Sequence, residues 1–427
     1  MSKFFQAGDL SSAAPGAAAE AAIVTGGREQ LLHLLAEAAE IEHTLMCSYL
    51  YTAFSLRRAG EGQLSDLEGK AVARWRRVIM GIATEEMGHL LMVANLTVAV
   101  GGSPHFARPN FPIAPGYFPS EVRVKLSGFS QDTLEHFIFL ERPEATIETD
   151  SPLFEQEHYM RTQRYSGLMP SAQDYQTIGH LYHAIGTNLT ELTDNLGEEG
   201  ALFVGEAQSQ IGPDVIKLAG LKPITDLQGA LSAIDLIVEQ GEGSSSDRED
   251  SHYHSFRSVH EELLRLQVAN ASFSPAWPVA DNPMLRSPPD PADKVFIDDP
   301  VASRVLDFAC ATYGLLLRLL VQCFGRSSSE RALQKQFFAT ALDLMHILAE
   351  ACDALARLPA SSVSPGVNAG MTFTMLRGVE PLISGNVERM LIQEQLIRLA
   401  AGAASLPGTL SGMSPRLRSL AKSIKGQ

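Results

Sequence analysis

From Glu29 to Arg58 apolar residues return every three or four positions: Leu31, Leu32, Leu35, Ala38, Ala39, Leu45, Met46, Tyr49 and Leu50, with Glu42 among them. That spacing lines one side of an α-helix. Gly60 and Gly62 end it. A second helical pattern runs from about Leu67 to Val100 and stops at Gly101-Gly102-Ser103-Pro104, a strong terminator. His105 to Tyr117 holds Pro109, Pro112, Pro115 and Gly116 and reads as loop. Val122, Val124 and Leu126 alternate briefly, as a short strand or extended lead-in would. Ser130 caps a helix that opens at Gln131-Asp132 and is closed by Glu141-Arg142-Pro143. Residues 144–172 are polar and irregular. A third long helix spans about Asp174 to Leu196. The fourth starts near Thr225-Asp226, turns Ala230, Ile234, Ile237 and Val238 inward, breaks at Gly241-Glu242-Gly243-Ser244 and resumes over His252 to Leu266.

Residues 1–27 show no sustained period and are expected to form a mobile arm. The proline-rich stretch from Ser274 to Asp293 reads as a linker or wrapped loop. Helices at about Pro300–Phe324 and Ser329–Leu358 follow, with one or two more in the tail. The pattern is all-α: a four-helix bundle with long inter-helix loops over 28–273, a linker at 274–296, and additional helices over 297–427.

Composition narrows the function. The chain has 427 residues, 45% apolar and 19% charged, so it can bury a core and is not a disordered chain. A net charge of -15 repels nucleic acid and anionic membrane, and neither is an expected partner. Cys47, Cys310, Cys323 and Cys352 form no CxxC pair and lie in apolar runs, as small core residues of a reducing compartment do. Asp9 interrupts any signal peptide, and Phe308 to Phe324, with Arg318 inside it, is too short to span a bilayer comfortably. A soluble, cytoplasmic protein is expected.

Glu42 sits inside the first apolar face, and Tyr49 lies two turns further along that face. A carboxylate there either has a partner or is heavily desolvated; a partly exposed place at the stripe's edge is the plainer alternative. Glu86 and His89 form an i, i+3 pair in apolar company. Carboxylate-bridged dimetal bundles use this geometry, the Glu bridging and the imidazole terminal. Glu85 points elsewhere and is expected in solvent or beside Arg74, Arg76 or Arg77, themselves a solvated face. The third helix offers His180 and His183 where a di-iron bundle has Glu; His180 is the candidate ligand, or else a satisfied histidine. On the fourth, Glu242 lies between glycines at the helix break, His252 shares a face with Phe256, and Glu239 is a further candidate; the 241–246 run reads equally as a flexible turn. GxGxxG, GxSxG and zinc CxxC patterns are missing.

As a set, several segments resemble the ferritin-like domain of iminophenyl-pyruvate dimer synthase type. They are Glu42-His43 through Tyr49-Leu50, Glu86-x-x-His89, Phe137 to Pro143, Ile178-Gly179 with Tyr182, Glu239 to Gly243, and His252 with Phe256. That domain also occurs in bacterial enzymes that couple two oxidised tryptophan units towards violacein and related bisindoles. The resemblance covers about residues 28–290. It implies a ferritin-like bundle with a non-haem metal, held by Glu42, Glu86, His89, Glu242 and His252, acting with oxygen or peroxide on a small amino-acid-derived molecule of secondary metabolism. The bisindole enzymes are much longer, so the chain is expected to lack their other domain and their coupling reaction. His180 stands where the standard carboxylate would, which leaves the second metal position open.

The expected activity is that of a metal-dependent oxidase or oxygenase. Oxygen and nitrogen donors suit iron, mono- or dinuclear, with manganese second. Tyr49 would hydrogen-bond a ligand or carry an electron. Loops 103–120 and 144–172 would cover the site. Metal storage or detoxification, and a metal-free partner-binding bundle, are the rival readings. Assembly is left open, a homodimer included.

Overall fold

From Ile41 to Ser55 the first helix has no solvent face at all. In the computed structural model, which describes residues 22–114, 123–144, 146–154, 175–197, 199–242, 250–377 and 379–424, this helix (α1, Arg28–Ser55) is the axis around which the rest is packed. A helix buried all round must find partners for its polar side chains. Ser48, Thr52 and Ser55 turn their hydroxyls to the carbonyls of Thr44, Ser127 and Thr52. Glu42 and His43 reach outward to other helices instead.

The second helix (α2, Asp66–Ala99) folds back along α1 over a length of about 51 Å. Its start is fixed by a capping box: Ser65 accepts from the Glu68 amide while Glu68 accepts from the Ser65 amide. Asn270 also donates to Glu68, at 2.7 Å. A short helix (α3, Gln131–Leu140), capped by Ser130 as expected, lies against α7 (His252–Ala269). Two further helices, α4 (Ile178–Leu196) and α6 (Leu227–Gly241), pack on one another, α4 also touching α1 and α6 touching α2. Between them comes the single turn α5 (Glu199–Leu202). The four-helix bundle is thus α1, α2, α4 and the broken pair α6–α7.

Boundaries shift where a cap outweighs the pattern. Tyr175–Thr177 precede the third long helix, because the Thr177 hydroxyl accepts from the His180 amide at 3.2 Å and fixes Thr177 as N-cap. Asp174 lies outside the described residues. Asp226 and Ser251 cap α6 and α7 in the same way.

Residues 274–296 are stitched down on both sides. The Trp277 amide donates to the Ser55 carbonyl at 2.8 Å, the Ala280 amide to Asn368 at 2.8 Å, and the Asn282 amide to Leu126 at 2.9 Å. Two parallel two-residue strands, β1 (Pro283–Met284) and β2 (Val295–Phe296), pair within this stretch. Beyond it, α8 (Ala302–Cys323) and α9 (Arg331–Leu355) form a hairpin whose second arm touches α1. Asp353 of α9 takes ion pairs from Arg58 and Arg76. Helices α10 (Asn386–Ala404) and α11 (Met413–Ser423) close the chain. By length and composition α8 could cross a membrane; its apolar residues are buried within the protein.

The arm expected at 1–27 lies outside the described residues up to 21. After that the chain is docked: Ile23 is buried, and the Thr25 amide donates to Asn188 Oδ1 of α4 at 2.7 Å.

Candidate metal centre

Glu42 of α1 and Glu86 and His89 of α2 meet in the bundle interior, each at most 2% exposed. Against the far side of Glu86 lie Glu141, the residue that ends α3, and His252, the first residue of α7. These side chains make two groups with metal-ligand spacing, Glu42–Glu86–His89 and Glu86–Glu141–His252. Glu86 belongs to both and divides its oxygens between them. Its Oε2 is 3.0 Å from His89 Nδ1, and its Oε1 is 3.0 Å from His252 Nδ1.

Both imidazoles are held from outside. His89 Nε2 donates to Gln240 Oε1 at 2.8 Å, and His252 Nε2 to Glu85 Oε2 at 2.9 Å. With the outer nitrogen committed as donor, each ring offers Nδ1 to the interior, the usual way a second partner fixes a ligating tautomer. The carboxylates are braced likewise: the Tyr182 hydroxyl donates to Glu42 Oε1, and the Tyr49 hydroxyl to Glu141 Oε1. Tyr49 is wedged between Phe137 and Phe256, with ring centres 4.6 and 5.0 Å away. Glu42 Oε2 and His252 Nδ1 are buried without a well-formed hydrogen bond, facing His89 Nδ1 at 3.3 Å and Glu86 Oε1 at 3.0 Å respectively. A buried polar atom left in this way is costly unless something else satisfies it. The donor set and its orphaned atoms fit metal ions.

Without metal the centre holds protons. Burial, then the neighbouring Glu86 charge, pushes the Glu42 carboxyl up to about 8. Burial works against a charge on His89, but Glu86 and Glu42 outweigh it and raise the imidazole to about 10. His252 is held well above its ordinary value by Glu86, Glu141 and Glu85 despite burial. Burial alone would raise Glu86; a hydrogen bond from Glu42 and the two histidines hold it well below the usual carboxylate range. Glu86 is thus the ionised acid between two imidazolium ions.

Glu242, directly after α6, lines the same small cavity of about 20 Å³, together with Tyr182 and Gly179. Its carboxylate accepts from the Gly179 amide at 2.8 Å and the Glu144 amide at 3.4 Å, and burial raises it to about 8. A Cβ at position 179 would collide with that carboxylate. Gly179→Ala should therefore leave α4 folded, unseat Glu242 and weaken metal binding by about 10-fold, the cost of losing an outer support. Metal titration followed by circular dichroism checks both halves; an unchanged affinity would show that Glu242 gives the centre no support.

A ferritin-like family model matches residues 35–261, a little over half of the chain. The chain belongs to the ferritin-like family. It is 28% identical over 408 residues to dichlorochromopyrrolate synthase of Lentzea aerocolonigenes, a match covering 88% of this chain and 39% of that protein. It is 26% identical over 345 residues to 2-imino-3-(indol-3-yl)propanoate dimerase of Chromobacterium violaceum, covering 74% and 31% respectively. The chain therefore spans between three and four tenths of the length of these relatives, both of which carry enzyme names. A solved ferritin-like protein from Caulobacter vibrioides is 16% identical, with a TM-score of 0.49 over 82% of this chain and all of that one. A match over 88% of the chain cannot fit within residues 28–290, so the likeness to the first relative extends into the helices after 297.

The candidate donors, with Glu242 added to the two groups, are four carboxylates and two histidines, the number a dimetal bundle uses. Their spacing is not the familiar one, for only Glu86-x-x-His89 keeps the i, i+3 form. Of the residues expected from sequence, Glu42, Glu86, His89 and His252 fall into the two groups, and Glu242 borders them. His180 and Glu239 fall in neither, and neither lines the cavity. His180 is in the first turn of α4, facing away from Gly179 and Tyr182, which turn inward. Glu141 supplies the carboxylate that the third helix lacks, although the sequence marks it only as the end of a helix. Glu85 is exposed, the first of its two expected places, and also accepts from His252, while Arg74 pairs with Glu262 and Arg76 with Asp353. Of the loops expected to cover the site, 115–122, 145 and 155–174 lie outside the described residues.

Proposed function

We propose that the chain is a metal-dependent oxidase or oxygenase with a carboxylate-bridged centre, iron being the first choice and manganese the second. The observation that carries this reading is Glu86, whose two oxygens face two separate imidazole Nδ1 atoms, each within reach of another carboxylate. One metal would be held by Glu42, Glu86 and His89 and the other by Glu86, Glu141 and His252, with Glu242 beside them. When bound, the metals would supply redox chemistry with oxygen or peroxide. The chain's own residues do the rest. Tyr182 and Tyr49 fix the outer carboxylates, Gln240 and Glu85 fix the imidazoles, and the apolar walls of α1 and α2 exclude water. Protons held on Glu42, His89 and His252 leave as metal arrives. The names of the two relatives, a dichlorochromopyrrolate synthase and an imino-indolyl-propanoate dimerase, support a small amino-acid-derived substrate in secondary metabolism.

Elemental analysis of protein expressed with supplementary iron and manganese tests the reading. Up to two equivalents per chain, one for each donor group, are expected. Protein that emerges metal-free and takes up neither metal on titration would overturn it.

A further inference from the structure

A second cavity lies on the adjoining flank of α1 and α2. In both helices residues that line it follow those of the metal centre by one position, Thr84 and Leu91 of α2 lining it besides. His43 and Met46 come after Glu42 and Leu45, and Met87 and Leu90 come after Glu86 and His89. One residue is about 100° of helical turn, so the two cavities sit side by side on one helix pair and share no lining residue. The opposite wall comes from the α8–α9 hairpin, chiefly Leu316, Leu317, Leu320 and Phe338.

Its volume is about 90 Å³. Three polar residues border it, and each turns its polar atoms elsewhere. The Thr84 hydroxyl donates to the Met80 carbonyl at 2.8 Å. His43 Nδ1 donates to the Phe106 carbonyl at 3.0 Å, and its Nε2 takes the Tyr313 hydroxyl at 2.5 Å. What faces the space is hydrocarbon. Its lining offers water none of the two to four partners it needs, which favours apolar guests, and exposed Thr84 marks its rim. The space is smaller than the roughly 150 Å³ known to admit benzene, which favours a diatomic gas over an aromatic ring. The metal centre's own cavity is much smaller, about 20 Å³.

We propose that this cavity binds dioxygen and holds it one helix flank away from the metal centre. Its purpose rests on the oxidase reading above; the binding itself does not. Dioxygen is small, uncharged and more soluble in hydrocarbon than in water, and it is the co-substrate that a centre of this kind would draw on.

Metal-free protein labelled at leucine methyls is the material for the test, with dissolved oxygen as the probe. Under oxygen pressure, paramagnetic relaxation of the Leu90, Leu316 and Leu320 methyls should exceed that of comparably buried leucines elsewhere, such as Leu96 and Leu348, by several-fold. Leu316→Phe, or Leu320→Phe should the first fail to fold, should bring the excess at the remaining cavity methyls down to background. Equal relaxation at all buried leucines, or an excess that survives both substitutions, would overturn the proposal. Protein that takes up no iron would sink the oxidase reading and leave this result readable.

Discussion

Glu86→Gln should strip both metals from a protein that remains folded. Glu86 is shared by the two donor groups, whereas Glu42 serves one and Glu141 the other. The amide has the carboxylate's shape but no charge, and it cannot bridge two cations. Losing an outer-shell partner already costs about 10- to 100-fold in metal affinity, so loss of the shared ligand should exceed about 100-fold at both positions. Glu42→Gln should empty one position and spare the other. Glu86 is the foremost of the carboxylates that raise His89 and His252, with Glu42, Glu141 and Glu85 contributing. With that charge removed, the imidazoles can be buried neutral. Elemental analysis beside circular dichroism reads both outcomes. Two equivalents retained by Glu86→Gln, or both lost by Glu42→Gln, would contradict a bridging role.

Metal loading should weaken steeply as pH falls. A ligand can bind only after its proton leaves, so each displaced proton makes affinity change about tenfold per pH unit. Near neutrality Glu42, at about 8, and His89, at about 10, both hold protons. The position they share should therefore gain about 100-fold per unit between pH 6 and 8. Above 8, where Glu42 is already ionised, the gain drops to about tenfold. The position served by His252, which is also raised, should likewise bind more tightly as pH rises. Competition with a chelator of known proton affinity at pH 6, 7 and 8 separates the two slopes. A flat profile would mean that the ligands stand ready without their protons.

Much of this architecture can be read from local rules. The α1 and α2 periods announce helices, Gly101-Gly102-Ser103-Pro104 ends the second, and Ser130 and Asp226 mark caps where caps form. Glu86 and His89 are visible because one helix carries both at a fixed angle. Glu141 is not, since 111 positions separate it from His252 and only the packing of α3 on α7 brings the two together. A signal for Glu141 does exist: a carboxylate directly follows the apolar run Phe137–Leu140, where the last turn is buried. Helix-end chemistry explains it so readily that a second role goes unseen. His180 misleads for the opposite reason. Its partner at i+3, His183, suggests a shared inward face, but His183 is exposed and paired with Glu144.

The six candidate donors, five of them lining the cavity and His252 beside Glu86, are not anchored alike. Glu42, Glu86 and His89 lie well inside long helices, whereas Glu141 and Glu242 follow the last residues of α3 and α6, and His252 is the first of α7. A side chain in mid-helix can retreat only if a turn of backbone hydrogen bonds breaks with it. One at a terminus moves with its loop and gives up far less. The chamber thus has one stiff jaw and one compliant jaw. Loop changes on that side can shift Glu141, Glu242 and His252 while the α1–α2 pair stays as it is.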